Sequence, residues 1–291
     1  MTLETDNQTV IRIEDLVREV TGIVSFPDIY LRLRERLEDP AATTREMGRL
    51  IAQDPALTFR VLRLANSPLY GLSRQVETVE RAVTVLGKRQ LIELVLATSA
   101  SKVIDGIPND IYEMTDFWRH SLLCGVVARE LAKSCECADT DFAFVAGLLH
   151  DIGQLVLFNR YPGQSRVALE ISMDRVEPMP LFMAERKVFG FDHAMLGGRL
   201  LEQWHLPDRL RESVEFHHEP ARAESHPVEA ALLHIANGVT SIEETELDLV
   251  DAVGGIDPVC WQVTGLEVGE VAPALQTAHE SVEGIGDLFE D

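Results

Sequence analysis

Cysteine is scarce in this 291-residue chain, and the four present (Cys124, Cys135, Cys137, Cys260) form no pair of pairs at zinc-like spacing. Cys135-Glu136-Cys137 therefore reads as two reduced thiols at a helix end, not as a metal module. Aromatic residues are few, at 6 %, while Leu, Ala and Val dominate, a bias toward helix. No uncharged apolar run reaches about 18 residues, so no membrane-spanning helix is expected. The opening MTLETDNQTV carries no basic, apolar leader pattern. Together these place the chain in the cytoplasm without a membrane partner. There is no alternation long enough for a sheet and no repeat of fixed period. Basic residues stop at Arg222, after which fifteen Asp and Glu follow. With a net charge of −22, of which −15 falls in the last 69 residues, the surface repels phosphates. Direct DNA or RNA binding is not expected. A solvated face is the plain reading of the acidic end, and a dock for a basic partner is the alternative.

What the chain does have is helical periodicity. In the first block, stripes run from Thr9 to Val20 and from Phe26-Pro27 through Ile29, Leu33 and Leu37. Thr43 with Glu46 is a capping box for a helix ending at Ala52. Asp54-Pro55 opens another, with Leu57, Val61, Leu64 and Ala65 on its buried face. Asn66-Ser67-Pro68 stops it. Thr78 caps a helix ending at Gly87, and an apolar one follows from Lys88 to Val103. Ile107 to Asp110 is the best internal boundary. Beyond it, helices are expected over Thr115–Lys133, Phe142–Gln154, Val167–Met173, Leu181–Phe189, Asp192–Trp204, Pro207–His218 and Val228–Ser241. The tail offers only weak elements near Val259–Val263 and Ala272–Val282. The fold class is all-α, divided as residues 1–107, 108–241 and an acidic extension, 242–291.

The stretch Phe142 to Gln154, FAFVAGLLHDIGQ, organises the rest. It is apolar nearly all round, so it belongs in the middle of a bundle, yet it carries His150 and Asp151. A buried carboxylate needs a partner. His120, His193, His217 and His218 fall at helix ends or on buried faces, and imidazole with carboxylate suits first-row divalent metals. Asp192 reads as the N-cap that puts His193 in a first turn. Asp116, one turn before His120, could join the set. A hydrogen-bonded histidine cluster in the core is the alternative, and His205, His226, His234 and His279 are read as structural.

The order of these motifs resembles the HDOD family, a branch related to the HD phosphohydrolases. The resemblance covers about Val24 to Thr240. It rests on IAQDPALTFRVLRLANSPLYG (Ile51 to Gly71), VETVERAVTVLGKRQL (Val76 to Leu91), FWRHS (Phe117 to Ser121), AGLLHDIGQLVL (Ala146 to Leu157), GFDHAMLGGRLLEQWHLP (Gly190 to Pro207) and FHHEP (Phe216 to Pro220). It implies an N-terminal helical-bundle subdomain packed on an HD-like helical core. It also implies a bacterial signal-transduction module that acts through a protein partner of unstated identity. His120, His150 and Asp151 match the metal-holding set of active HD enzymes. His193, His217 and His218 match the later histidines of the HD-GYP branch, which hydrolyses cyclic di-GMP. One or two ions of iron, manganese, zinc or nickel are the implied cofactors.

Three departures weaken catalysis. Gln154 stands where HD-GYP enzymes have Lys, and Asn237 stands about where the HD pattern wants Asp. ARAESHP (Ala221 to Pro227) replaces the GYP signature. The rival reading is a metal-dependent phosphohydrolase of a nucleotide or cyclic dinucleotide, with Asp151 bridging the ions or orienting water. The segment Asn66 to Gly71 is a candidate functional surface, or simply the turn between two helices.

Overall fold

The computed structural model describes residues 11–23, 28–39, 41–72, 74–105, 111, 113–135, 139–174, 176–243 and 248–282. Among them every regular element is a helix, as the all-α reading requires. The Ile107–Asp110 boundary, Phe26-Pro27 and Cys137 lie outside the described residues.

The first block comprises α1 (Ile13–Ile23), α2 (Asp28–Glu38), α3 (Thr44–Ile51), α4 (Pro55–Ala65), α5 (Val79–Leu86) and α6 (Lys88–Asp105). Its starts are fixed locally. Thr43 Oγ1 accepts the Glu46 N–H at 3.2 Å, while Glu46 takes the Thr43 N–H at 2.8 Å. Asp54 accepts the amides of Ala56 and Leu57 at 2.9 and 3.0 Å, with Pro55 at the first helical position. Leu57, Val61, Leu64 and Ala65 are buried. The segment Asn66 to Gly71 is anchored inward at Ser67 and Leu69 while Pro68 and Gly71 stay exposed. The Asn66 side chain both accepts from and donates to the Val76 backbone, at 2.7 and 2.8 Å. Leu69 is buried, and the Arg129 guanidinium lies 4.5 Å from the Tyr70 ring centroid.

The core follows: α7 (Met114–Ser134), α8 (Thr140–Leu149), α9 (Ile152–Arg160), α10 (Pro162–Ser172), α11 (Leu181–Phe189), α12 (His193–Gln203), α13 (Asp208–Glu215) and α14 (Pro227–Thr240). Cys135 closes α7 and is buried. α7 and α8 pack so closely that a Cβ on Gly147 would stand 2.5 Å from the Gly125 Cα. The organising stretch is not one helix. α8 ends at Leu149 and α9 starts at Ile152, leaving His150 and Asp151 in the corner between them. Thr140 to Arg160 has the length and mean hydropathy (1.4) of a membrane span, but its most apolar window is 94 % buried within the fold.

The acidic end is more structured than its composition suggests. α15 (Leu249–Gly254), α16 (Pro258–Thr264) and α17 (Val271–Val282) follow, and α17 lies along α7. Cys260, Val271, Ala274 and Ala278 join the central cluster. Residues 248–282 therefore extend the core, and the short elements expected near Val259–Val263 and Ala272–Val282 are the helices α16 and α17.

Candidate metal centre

Close backbone approach builds the site. A Cβ at Gly153 would collide with the His193 carbonyl oxygen and stand 2.8 Å from the Gly197 nitrogen. Glycine there lets the first turns of α9 and α12 touch, which carries His193 up to Asp151. On the other side, α7 against α8 sets His120 beside His150. His217 and His218 arrive from the turn after α13, whose C-cap is Phe216.

All six residues singled out in the sequence meet in one interior hollow. Asp151 stands between two groups. Its Oδ2 lies 3.1 Å from His150 Nε2 and 3.6 Å from His120 Nε2. Its Oδ1 lies 3.3 Å from His193 Nε2 and 3.8 Å from His217 Nε2. His120 and His150 approach Nε2 to Nε2 at 3.3 Å, and His193 and His218 at 2.8 Å. Within each group, His120–His150–Asp151 and His193–His217–His218, the ligand atoms lie within 4.8 Å of one another. His150, His217 and His193 are almost wholly buried, and Asp151 is 8 % exposed. Asp116 is exposed, lines the adjoining cleft and belongs to neither group.

Three rings have their Nδ1 proton committed elsewhere. His150 Nδ1 donates to the Gly147 carbonyl and His217 Nδ1 to the Val214 carbonyl, both at 2.7 Å. His193 Nδ1 donates to Glu185 Oε2 at 2.6 Å. Each neutral ring therefore turns an Nε2 lone pair toward the Asp151 carboxylate. Two acceptors 3.1–3.8 Å apart do not attract, and His217 Nε2 and Asp151 Oδ1 are buried without a hydrogen-bond partner. A cation between them resolves the conflict. Ligands about 2.1 Å from a shared ion stand about 3.0–3.4 Å apart, close to the spacings seen here. The residues fit a metal site: His120, His150 and Asp151 on one side, or His193, His217 and His218 on the other, could hold an ion.

Protons take that place when no metal is bound. Burial opposes charge on His193, but Glu185 and Asp151 outweigh it and push its pKa up to about 10. Burial likewise opposes charge on His150, and Asp151 overrides it, raising His150 well above the usual imidazole range. Burial would raise Asp151, yet His150 and His193 hold it well below the usual carboxylate value. His217 and His218 go the other way, lowered by burial and by the neighbouring rings. Each half thus keeps one charged ring beside the shared carboxylate.

Several supports were not singled out from sequence. Glu185 is 1 % exposed and accepts both Nδ1–H and backbone N–H of His193. Its signal was an acid inside the stripe Leu181, Ala184, Phe189, where a buried charge demands a partner. Arg186 donates to Asp192 and to Glu219, each at 2.6 Å, tying the N-cap of α12 to the residue after His218. Phe182 stacks on His218 at 4.5 Å and 9°. His234 keeps the structural role assigned to it, donating to the His217 carbonyl at 2.7 Å and accepting the Asp257 N–H.

The hollow opens into a cleft of about 790 Å³ lined by His120, Asp151, His193 and His218, with Gln154 and Asn237 also on its wall. The two neutral departures thus line the same cleft as the candidate ligands.

A wholly helical core holding a His-Asp corner among inward-facing histidines defines an HD-type protein. Within that class the chain belongs to the HDOD domain family, which matches residues 23–220. A Geobacter sulfurreducens HDOD domain protein of unknown function is 26 % identical, with a TM-score of 0.75 over 95 % of this chain and 97 % of that one. A Shewanella amazonensis protein that carries a phosphohydrolase name is 25 % identical, with a TM-score of 0.73 over 94 % and 97 %. An uncharacterised Treponema pallidum protein is 26 % identical over 217 residues, of which this chain spans 41 % of the length.

Proposed function

We propose that the chain is a regulatory HDOD module whose pocket holds two divalent transition-metal ions and which signals through a protein partner, with little or no turnover of its own. The observation that carries this reading is Asp151, set between two imidazole groups whose Nε2 lone pairs converge on its oxygens. His120 and His150 with Oδ2 would hold one ion, and His193, His217 and His218 with Oδ1 the other. Such ions supply Lewis acidity and an activated water. Nitrogen-rich ligation suits iron, manganese, zinc or nickel. Against turnover stand two neutral side chains on the cleft wall: Gln154, where a cation would stabilise developing phosphate charge, and Asn237, where a carboxylate would offset the charge of a dication.

The second reading is a metal-dependent phosphohydrolase of a nucleotide or cyclic dinucleotide. Support for it is the cleft itself, large enough for a small ligand and open onto both halves of the pocket. Metal analysis of the purified chain, paired with a nucleotide and cyclic-dinucleotide hydrolysis panel, separates the two. Bound metal without turnover supports the regulatory module. Metal-dependent turnover lost in His150→Ala establishes the hydrolase. Metal-free protein whose melting temperature ignores added zinc removes both.

A further inference from the structure

The two halves of the pocket are built differently. The His193 half offers three imidazoles, and each ring is held by a second contact. His193 is fixed by Glu185 at both its ring and its backbone, at 2.6 and 2.9 Å. His217 is fixed by the Val214 carbonyl at 2.7 Å. His218 is stacked flat on Phe182. The Arg186 bridge from Asp192 to Glu219 braces the backbones on which His193 and His218 stand. The His120 half offers two imidazoles and shares the one carboxylate. His150 is held by the Gly147 carbonyl at 2.7 Å just as His217 is by Val214, so the halves differ in the number of rings and in the carboxylate behind His193. Glu185 also gives the first half a second buried negative charge, 1 % exposed, next to the ligand ring. A carboxylate behind a ligating imidazole fixes its tautomer and makes the ring more basic, typically worth about 10–100-fold in metal affinity.

From this asymmetry, and resting on the metal reading above, we infer that the His193–His217–His218 half holds a resident ion while the His120–His150 half exchanges its ion with the surroundings. Glu185 is the positioning residue that sets the difference. The exchangeable half is then the part of the pocket that responds to the supply of metal.

The test titrates Zn²⁺ into the full chain, stripped by chelator, against a chromophoric competitor. Repulsion between neighbouring ions gives two unequal steps whatever the halves are worth alone, so variants with one half disabled carry the test. His120→Ala is expected to keep a single tight step, and His218→Ala a single weak one. Glu185→Gln, which keeps an acceptor, is expected to weaken the tight step by about 10–100-fold and move the weak step by less than about threefold. Equal affinities in the two histidine variants, the reverse order, or a Glu185→Gln effect shared equally by both steps would overturn the inference. Should Glu185→Gln not fold, the histidine pair still decides. A wild-type chain that takes up no zinc would instead sink the metal reading itself, an outcome distinct from binding without asymmetry.

Discussion

At the scale of single residues, the competition at Asp151 between protons and metal has a sign that can be worked out. His193, with a pKa of about 10, and His150, also raised, hold protons across the neutral range in the metal-free protein. A metal must displace them, so affinity rises with pH, by up to about tenfold per unit for each proton released. Zinc titrations between about pH 6 and pH 8 should show that slope, and loading in weak buffer should acidify the solution. An affinity flat with pH would mean that these rings are not the ligands. Away from the pocket, Glu93 on α6 offers a second titration. Burial, then the nearby Asp139, push its pKa up to about 7, with Arg89 and Arg209 opposing. Because the folded state holds this proton more tightly than the unfolded chain, the contribution of Glu93 to stability is highest below about pH 4.5. It declines as pH rises toward 7 and is level above that. Glu93→Gln should therefore raise stability at neutral pH by about 2 kcal/mol and leave it unchanged near pH 4. The difference between the two proteins' melting curves isolates this group from the histidines.

At the scale of elements, the corner between α8 and α9 is what makes a core segment into a site. Gly153 is part of that corner because the His193 carbonyl occupies the space a Cβ would need. Gly153→Ala must push α9 from α12, at a cost of about 3 kcal/mol. The variant should melt earlier and bind zinc more weakly, since His193 retreats from Asp151. A melting point lowered without loss of zinc affinity would separate packing from ligation. Much at this scale was legible in sequence, and the reason is range. Thr43 with Glu46, Asp54-Pro55, Thr78 and Asp192 each cap through bonds to amides two or three residues away. The spacing of the histidines gave the members of the pocket. What escaped depends on contacts distant along the chain. The break at His150 answers to α12, Glu185 to a ring eight residues on, and the docking of α16 and α17, whose positions were expected, to partners on α7 and α14. In that acidic region Val271, Ala274 and Ala278 are core positions. Their stripe is short and apolar only on one side, and the surrounding carboxylates drown it.

At the scale of the whole molecule, the division into residues 1–107, 108–241 and 242–291 becomes a question of cooperativity. A single buried cluster runs from Leu16 in α1 to Ala278 in α17, passing through the first block, the core and the acidic end without interruption. α6 packs on α8, and α1 on α12, so both neighbours of the His-Asp corner touch the first block. The joint is also polar. Arg129 and Asp141, 7 % and 6 % exposed, face each other at 3.2 Å, and the same guanidinium covers the Tyr70 ring. Arg34 reaches across from α2 to the carbonyl of His205, the one described non-glycine residue with positive φ. A shared core this continuous should unfold as one unit, so near-UV and far-UV circular dichroism should report the same midpoint, with calorimetric and van't Hoff enthalpies equal. Arg129→Met strands Asp141 in the interior and should cost about 3–5 kcal/mol while keeping the transition single. Two resolved transitions in the wild type would mean that the first block and the core are separate folding units after all. Metal at the corner would then have no reason to protect α1 to α6 from unfolding. With one unit it must protect them, and hydrogen exchange in α6 with and without zinc reads the difference directly.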